Sequence, residues 1–203
     1  MQKSVPLDLR GMQVFKELLT PEEQKLMVSA LRDVVREAPL FHPITPMGKR
    51  MSVRMTSAGR FGWITDAKGY RYSPTHPDGQ AWPAMPEIVT KVWSEVSGAT
   101  RAPESCLINF YDAEAKMGLH QDRDEQDFSQ PVVSISLGDE ALFRVGNETR
   151  GGKTESLWLS SGDVVVMGGA SRLLYHGIDR VKPGSSGLLP KGGRINVTLR
   201  VVS

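Results

Sequence analysis

Four histidines occur in the chain, His42, His76, His120 and His176. His120 and Asp122 flank Gln121, so in an extended segment both side chains leave the same side of the backbone. His176 falls far downstream, in the apolar run Leu173 to Ile178, which reads as a strand. Two imidazoles and one carboxylate on a rigid β-scaffold are the facial triad of non-haem Fe(II) oxygenases, which leaves metal positions open for a co-substrate and oxygen. An H-x-D triplet alone is common on protein surfaces, so the reading needs the rest of the chain. His42 and His76 lie beside prolines in loops and receive no role.

The last apolar run supplies that context. Arg194-Ile195-Asn196-Val197-Thr198-Leu199-Arg200 alternates strictly. At a period of two, Arg194, Asn196, Thr198 and Arg200 share one face and Ile195, Val197, Leu199 and Val201 the other. The two arginines would stand roughly 20 Å apart along the strand. An exposed polar face makes this an amphipathic edge strand. A face turned into a barrel instead buries two cations that need anionic partners. A short dicarboxylate would satisfy Arg194 and leave its other end to a metal near Arg200. Asn109 and Tyr111, again two apart on a strand, would add hydrogen bonds.

The elements that must position these residues change character at Gly98. Before it, Thr20-Pro21-Glu22-Glu23 is a helix start with a capping box. Met27, Ala30, Leu31, Val34, Val35 and Ala38 follow it on one helical face, and Pro39 ends the run. A second helix is expected from about Met85 to Ser97. Between the two helices, Met51 to Met55 and Gly62 to Ile64 read as short strands in an ordered flap. After Gly98 come Cys106–Tyr111, Val132–Leu137, Ala141–Val145, Glu155–Leu159, Asp163–Met167, Leu173–Ile178 and Arg194–Val201, with turns and no helices between them. That succession predicts an antiparallel sandwich or barrel of the jelly-roll kind. Asp179 and Arg180 read as a turn and Cys106 as a small buried hydrophobe. Met27, Met47, Met51 and Met55 read as gap-filling side chains, with Met55 alone a candidate substrate contact.

The 203 residues suit one domain, and the single cysteine fits a reducing, cytoplasmic setting. Met1 to Arg10, with Lys3 and Arg10, has no apolar core of a leader, and no run approaches membrane-spanning length. A net charge of +2 conceals an uneven distribution. From Phe41 to Thr75, Lys49, Arg50, Arg54, Arg60, Lys68 and Arg71 oppose Asp66 alone, a net +5. Such a patch suggests a polyanionic partner, or else a solvated face.

With these residues in place, the chain resembles the AlkB-type Fe(II)/2-oxoglutarate-dependent nucleic-acid dealkylases, the bacterial alkylation-repair branch in particular. The resemblance runs from about Met51 to Val201. It rests on Asn109-Phe110-Tyr111, His120-Gln121-Asp122-Arg123-Asp124-Glu125, Ser134 to Gly138, Gly162 to Val166, Ser171-Arg172-Leu173-Leu174-Tyr175-His176-Gly177 and Arg194 to Arg200. Gly69-Tyr70, Tyr72-Ser73-Pro74 and Trp82 to Pro86 look like the same branch.

The resemblance implies an α+β, mainly β fold: a double-stranded β-helix (jelly-roll) core, N-terminal helices packed outside, and a nucleotide-recognition lid. As one dioxygenase domain over 1–203, it would divide into a helical extension (1–44), the lid (45–80), a supporting helix (81–104) and the catalytic core (105–203). It implies His120, Asp122 and His176 as Fe(II) ligands, with O2 and 2-oxoglutarate as co-substrates. Arg194 would take the distal carboxylate of 2-oxoglutarate, and Asn109, Tyr111, Asn196 and Arg200 would line the rest of that pocket, Arg200 also serving catalysis. Met55, Trp63 and Tyr70 would face the substrate, with Asp124 near the base and Arg150 near the substrate strand. The implied substrate is alkylated DNA, single-stranded by preference, with RNA as a second polymer; no membrane is involved and the protein is expected to be a monomer.

The residues give that lid a physical reason. A base methylated on a ring nitrogen, as in 1-methyladenine or 3-methylcytosine, is cationic, and the indole face of Trp63 attracts a cation. Asp124 would add attraction that an undamaged base does not receive, and the flap cations Lys49, Arg50, Arg54 and Arg60 would meet phosphates. Trp63 read instead as a core aromatic under a hairpin would remove the platform, whereas Phe61 as the packing residue would leave Trp63 free to serve as one. Two other functions share parts of this pattern. An Fe(II)/2-oxoglutarate hydroxylase of a protein or small molecule needs the triad and Arg194 but not the basic flap. A non-catalytic nucleic-acid module needs the flap alone.

Overall fold

The structure is a computed structural model that describes Met1 and residues 5–203. Lys3, in the stretch read above for a leader, lies outside the described residues. The front of the chain forms β1 (Leu7–Leu9), β2 (Met12–Phe15) and α1 (Pro21–Glu37). The lid region holds β3 (Arg54–Gly59), β4 (Gly62–Asp66) and β5 (Gly69–Ser73), followed by α2 (Glu87–Val96). The remainder is β6 (Ser105–Tyr111), β7 (Met117–His120), β8 (Val132–Gly138), β9 (Glu140–Val145), β10 (Glu155–Leu159), β11 (Val164–Met167), β12 (His176–Lys182) and β13 (Arg194–Arg200).

Two antiparallel sheets face each other. The larger runs β1-β2-β11-β8-β13-β6-β3 and the smaller β10-β9-β12-β7, while β4 and β5 pair as a separate hairpin. Alternation along each strand sorts side chains to opposite faces. On the large sheet Val133, Ile135, Leu137, Val197 and Leu199 turn outward to meet Met27, Leu31 and Val34 of α1 and Val89, Val92 and Trp93 of α2. On the other face Met55, Leu107 and Tyr111 meet Phe143, Val145, Leu159 and Ile178 of the smaller sheet and its surroundings. This is the jelly-roll expected. No helix among the described residues is long and apolar enough to cross a membrane.

Helix α1 starts as its sequence dictates. Thr20 Oγ1 accepts from the Glu23 amide at 3.2 Å, and the Glu23 carboxylate accepts from the Thr20 amide at 3.0 Å. Its buried stripe is Met27, Val28, Leu31 and Val34. The first 44 residues are not wholly helical, however. β2 pairs with β11, placing Val14 opposite Val165, so the chain's front completes the large sheet.

Three local expectations fail. Residues Met51 to Val53 precede β3, which starts only at Arg54. The segment Leu173 to Tyr175 is not strand: a short 3₁₀ turn, Gly169–Ser171, leads into β12, which begins at His176. Asp179 and Arg180 are not a turn but lie within β12, where a register shift between Ile178 and Arg180 accommodates them. In each case pairing with a distant strand decides the boundary, which local propensity does not carry.

Candidate active site

Strand pairing brings the distant triad together. β12 lies antiparallel to β7 with His176 directly opposite His120, their rings 4.7 Å apart. Gly177 permits this approach, since a Cβ there would sit 2.5 Å from the Met117 carbonyl oxygen and 2.8 Å from that of Gly118. Asp122 follows β7, and one ligand atom from each of His120, Asp122 and His176 lies within 4.8 Å of the others. The Nδ1–H of His120 donates to the Gly118 carbonyl at 2.9 Å, and that of His176 to the Leu174 carbonyl at 3.0 Å. These bonds fix the tautomers and turn both Nε2 lone pairs toward Asp122. Burial, with His120 beside it, pushes the His176 imidazole down to about 4, so it is neutral and able to ligate. Burial would raise the Asp122 carboxyl, but Arg200 and the two imidazoles outweigh it and hold Asp122 well below the usual range. Two imidazoles and one carboxylate, with no thiol in the cavity lining, suit Fe(II).

Behind the triad lies a buried charge network that the sequence reading did not include. Arg200 Nη2 donates to Asp122 Oδ2 at 2.9 Å, and its Nε lies 3.2 Å from Glu125 Oε1. Arg172 bonds Glu125 Oε2 at 3.0 Å and the Asp122 carbonyl at 2.6 Å. The Tyr72 phenol, from β5 of the lid, donates to the same Glu125 carboxylate. Two arginines thus face two carboxylates in the interior, which is what buried charge requires. Arg200, expected among the co-substrate contacts, lines the cavity but is first of all the partner of Asp122 and Glu125; only its Nη1 lacks one.

Arg194 is different. It is fully buried, donates from Nη2 to Ser136 Oγ at 2.8 Å, and leaves Nε and Nη1 without partners. Burial lowers its pKa to about 10, so it remains a cation at neutral pH. The polar face of β13 therefore points between the sheets, and the edge-strand alternative falls. β13 pairs with β6, setting Tyr111 opposite Arg194 and Asn109 opposite Asn196. These four line one cavity of about 380 Å³ together with the triad. A buried guanidinium with two open donors and no ion pair among the described residues is a cradle for the far end of 2-oxoglutarate.

The mouth of the cavity carries the lid. Trp63 and Tyr70 stack with ring centroids 5.5 Å apart, and the Trp63 indole N–H donates to Asp124 Oδ2 at 2.7 Å. Trp63 is thus half-buried at the cavity, where it also packs against the core between the sheets, while Phe61 lies under the Arg60 guanidinium. Met55 is buried on the cavity wall, and exposed Arg150 sits over the Tyr175 ring at its rim. The flap cations divide. Arg60 is paired with Glu104 at 2.8 Å, Arg71 with Asp66 at 2.6 Å, and Arg54 lies over Phe110. Lys49, Arg50 and Lys68 are exposed and form no ion pair among the described residues. Of the methionines read as gap-fillers, Met27 and Met55 are buried, but Met47 is 92 % exposed, which corrects that reading.

The comparisons with known proteins agree with this geometry. Residues 11–200 match the family model of the 2OG-Fe(II) oxygenase superfamily. The chain is 49% identical over 191 residues to the alpha-ketoglutarate-dependent dioxygenase AlkB homolog of Caulobacter vibrioides, covering 94% of this chain and 87% of that one. It is 43% identical over 163 residues to alpha-ketoglutarate-dependent dioxygenase AlkB of Escherichia coli, covering 78% and 76%. A relative from Arabidopsis thaliana, DNA N(6)-methyladenine demethylase ALKBH1D, is 33% identical across 94% of this chain and 49% of its own. Among solved structures, that of OsALKBH1 superposes with a TM-score of 0.81 at 31% identity, covering 96% of this chain and all of that one. Family model, relatives and His-Asp-His site together make this chain a member of the AlkB-type Fe(II)- and 2-oxoglutarate-dependent dioxygenases.

Proposed function

We propose that this dioxygenase repairs nucleic acid by oxidative demethylation of bases methylated on a ring nitrogen, of the 1-methyladenine and 3-methylcytosine kind. The substrate is alkylated DNA, single-stranded by preference, with RNA as a second polymer, and the enzyme acts as a monomer and one domain. The observation that carries the reading is the Trp63–Tyr70 stack with Asp124 at the mouth of the cavity that holds the triad and Arg194. A hydroxylase of small molecules has no use for an aromatic pair and a carboxylate beside unpaired cations at the entrance.

When bound, Fe(II), 2-oxoglutarate and O2 together supply the oxidation of the N-methyl carbon, which leaves as formaldehyde. The chain's part is to hold, orient and select. His120, Asp122 and His176 hold the iron. Arg194 grips the distal carboxylate of 2-oxoglutarate, while Asn109, Tyr111 and Asn196 line the bed and Arg200 braces Asp122. Trp63 and Tyr70 offer π faces to a cationic base, a contact worth about 0.5–2 kcal/mol. Asp124 exchanges its bond with the Trp63 N–H for the base and favours the positive charge that methylation confers. Met55 closes the wall behind the base, and Arg150 meets the strand that carries it.

The test is anaerobic loading with Fe(II) and 2-oxoglutarate, admission of air, and mass spectrometry of single-stranded oligonucleotides carrying one 1-methyladenine or 3-methylcytosine. Loss of the methyl group with succinate formed in equal amount is expected. Consumption of 2-oxoglutarate that no methylated oligonucleotide stimulates would move the reading to the hydroxylase.

A further inference from the structure

The segment between α1 and β3 is a short finger whose tip the repair reading leaves unused. Ile44 and Arg50 are bridged across it, and the Met51 amide donates to the Pro43 carbonyl at 2.9 Å. The tip is a tight turn: the Gly48 amide donates to the Thr45 carbonyl at 2.8 Å and the Thr45 amide to the Lys49 carbonyl at 2.9 Å. Thr45 Oγ1 accepts from the Lys49 amide at 3.1 Å. Pro46 presets the first turn residue, and Gly48, at φ +78°, occupies a left-handed position that glycine takes freely. The turn is rigid by construction. Its remaining corner is Met47.

That corner of a turn is ordinarily polar. Met47 instead presents a thioether chain that is 92 % exposed and touches no core. It buries almost nothing on folding and is free to meet a partner. Three neighbours say what kind of partner fits. Thr45 and Met51, at the stem of the finger, line the catalytic cavity, so the tip stands within a few residues of where a base enters. Lys49 and Arg50, beside the tip, are exposed cations without a carboxylate partner among the described residues. An apolar tip flanked by cations at the rim of a base-sized cavity matches a polyanion with a stacked apolar interior.

We infer that the finger is a wedge for duplex nucleic acid, with Met47 entering the base stack beside the flipped nucleotide and Lys49 and Arg50 holding the backbone. The inference rests on the repair reading and extends it to double-stranded substrates. Methionine is one of the side chains that proteins insert between base steps, where it unstacks them and kinks the duplex. Its unbranched, polarizable chain suits a gap lined by aromatic rings. Extraction of a base costs stacking energy in a duplex and far less in a single strand. The finger therefore acts on the difference between the two substrates, and single strands remain the easier ones.

The test uses the full chain and one 1-methyladenine, either in a single strand or in a duplex with 2-aminopurine as its neighbour. With Co(II) and 2-oxoglutarate bound, no turnover occurs, and 2-aminopurine fluorescence reports unstacking directly. The wild type should raise that fluorescence on the duplex, Met47→Leu should retain the rise, and Met47→Ala should lose most of it. With Fe(II) and air, the duplex-to-single-strand ratio of kcat/KM should fall at least about tenfold in Met47→Ala. A ratio within about twofold of the wild type, or a wild type that leaves 2-aminopurine stacked, overturns the wedge. An enzyme that unstacks the duplex yet demethylates neither substrate overturns the repair reading and leaves the wedge standing.

Discussion

At the scale of single residues, the site is defined by which buried charges are balanced and which are not. Asp122 and Glu125 balance Arg200 and Arg172, whereas Arg194 has open donors and no ion pair among the described residues. Arg194→Lys keeps the charge but loses the planar fork that grips a carboxylate along two parallel bonds. The 2-oxoglutarate concentration needed for half-maximal turnover should rise at least about tenfold, roughly the worth of one charged hydrogen bond. Co(II) affinity, measured without oxygen, should change less than about twofold; an unaltered 2-oxoglutarate requirement would place the dicarboxylate elsewhere. Gly177→Ala tests the other half of the site. Its Cβ would press on the Met117 and Gly118 carbonyls and part β12 from β7, so the two histidines would separate. Co(II) binding should weaken by about tenfold or more, at an overpacking cost of about 1–3 kcal/mol in stability. Wild-type metal affinity in that variant would show that β7 yields without disturbing His120. Period two set Arg194 on a polar face, but only the central place of β13 between β8 and β6 shows that this face turns inward. Gly177 was not legible, since close approach of two backbones leaves no mark beyond a glycine among twenty.

At the scale of elements, the helices were read nearly to the residue and several strands were missed. Helix α1 announces itself through the capping box and an apolar stripe that recurs with the helical period. β7 has four residues, a glycine among them, and no alternation; it exists because β12 pairs with it. β1 and β2 were likewise invisible because β11, which secures them, lies some 150 residues away. Most of the missed strands are short ones held by non-local partners. The lid hairpin β4–β5 is the exception: β4 was read in part, over Gly62 to Ile64, and β5 was missed although its partner is its neighbour in the chain. The hairpin pairs with neither large sheet, and Tyr72 ties it to the buried Glu125. Tyr72→Phe removes that bond and little else. Hydrogen exchange of amides in Gly62–Ser73 should quicken about fivefold or more, as loss of a bond to a charged group implies. Exchange in β6, β8 and β13 should stay as it is. An unchanged lid in that variant would show that the Trp63–Asp124 and Trp82–Ser73 bonds hold it without Tyr72.

At the scale of the whole molecule, net charge says little and its distribution says much, but only the fold tells which charges are available. The sequence places six cations in the flap against one carboxylate, and that excess was legible. What it could not show is that Glu104, far along the chain, takes Arg60, or that Arg71 turns back onto Asp66. Arg54 rests on Phe110. Among the described residues Lys49, Arg50 and Lys68 are exposed and unpaired, and Lys49 and Arg50 stand together on the finger beside the cavity. Each phosphate contact releases a condensed counterion, so the logarithm of affinity falls with the logarithm of salt by about 0.7 per contact on a single strand and about 0.9 on a duplex. If Lys49 and Arg50 each hold one phosphate, neutralising both should reduce that slope by about 1.4 on single strands and about 1.8 on duplexes. Methylated and unmethylated strands should lose affinity alike, since phosphate contacts carry no information about the base. Arg60→Ala should leave the slope unaltered, because its charge is already matched by Glu104. Titrations of fluorescent oligonucleotides at several salt concentrations, with metal and 2-oxoglutarate absent, separate these outcomes. A slope that drops for Arg60→Ala and holds for the Lys49 and Arg50 pair would put the nucleic-acid path on the opposite side of the lid.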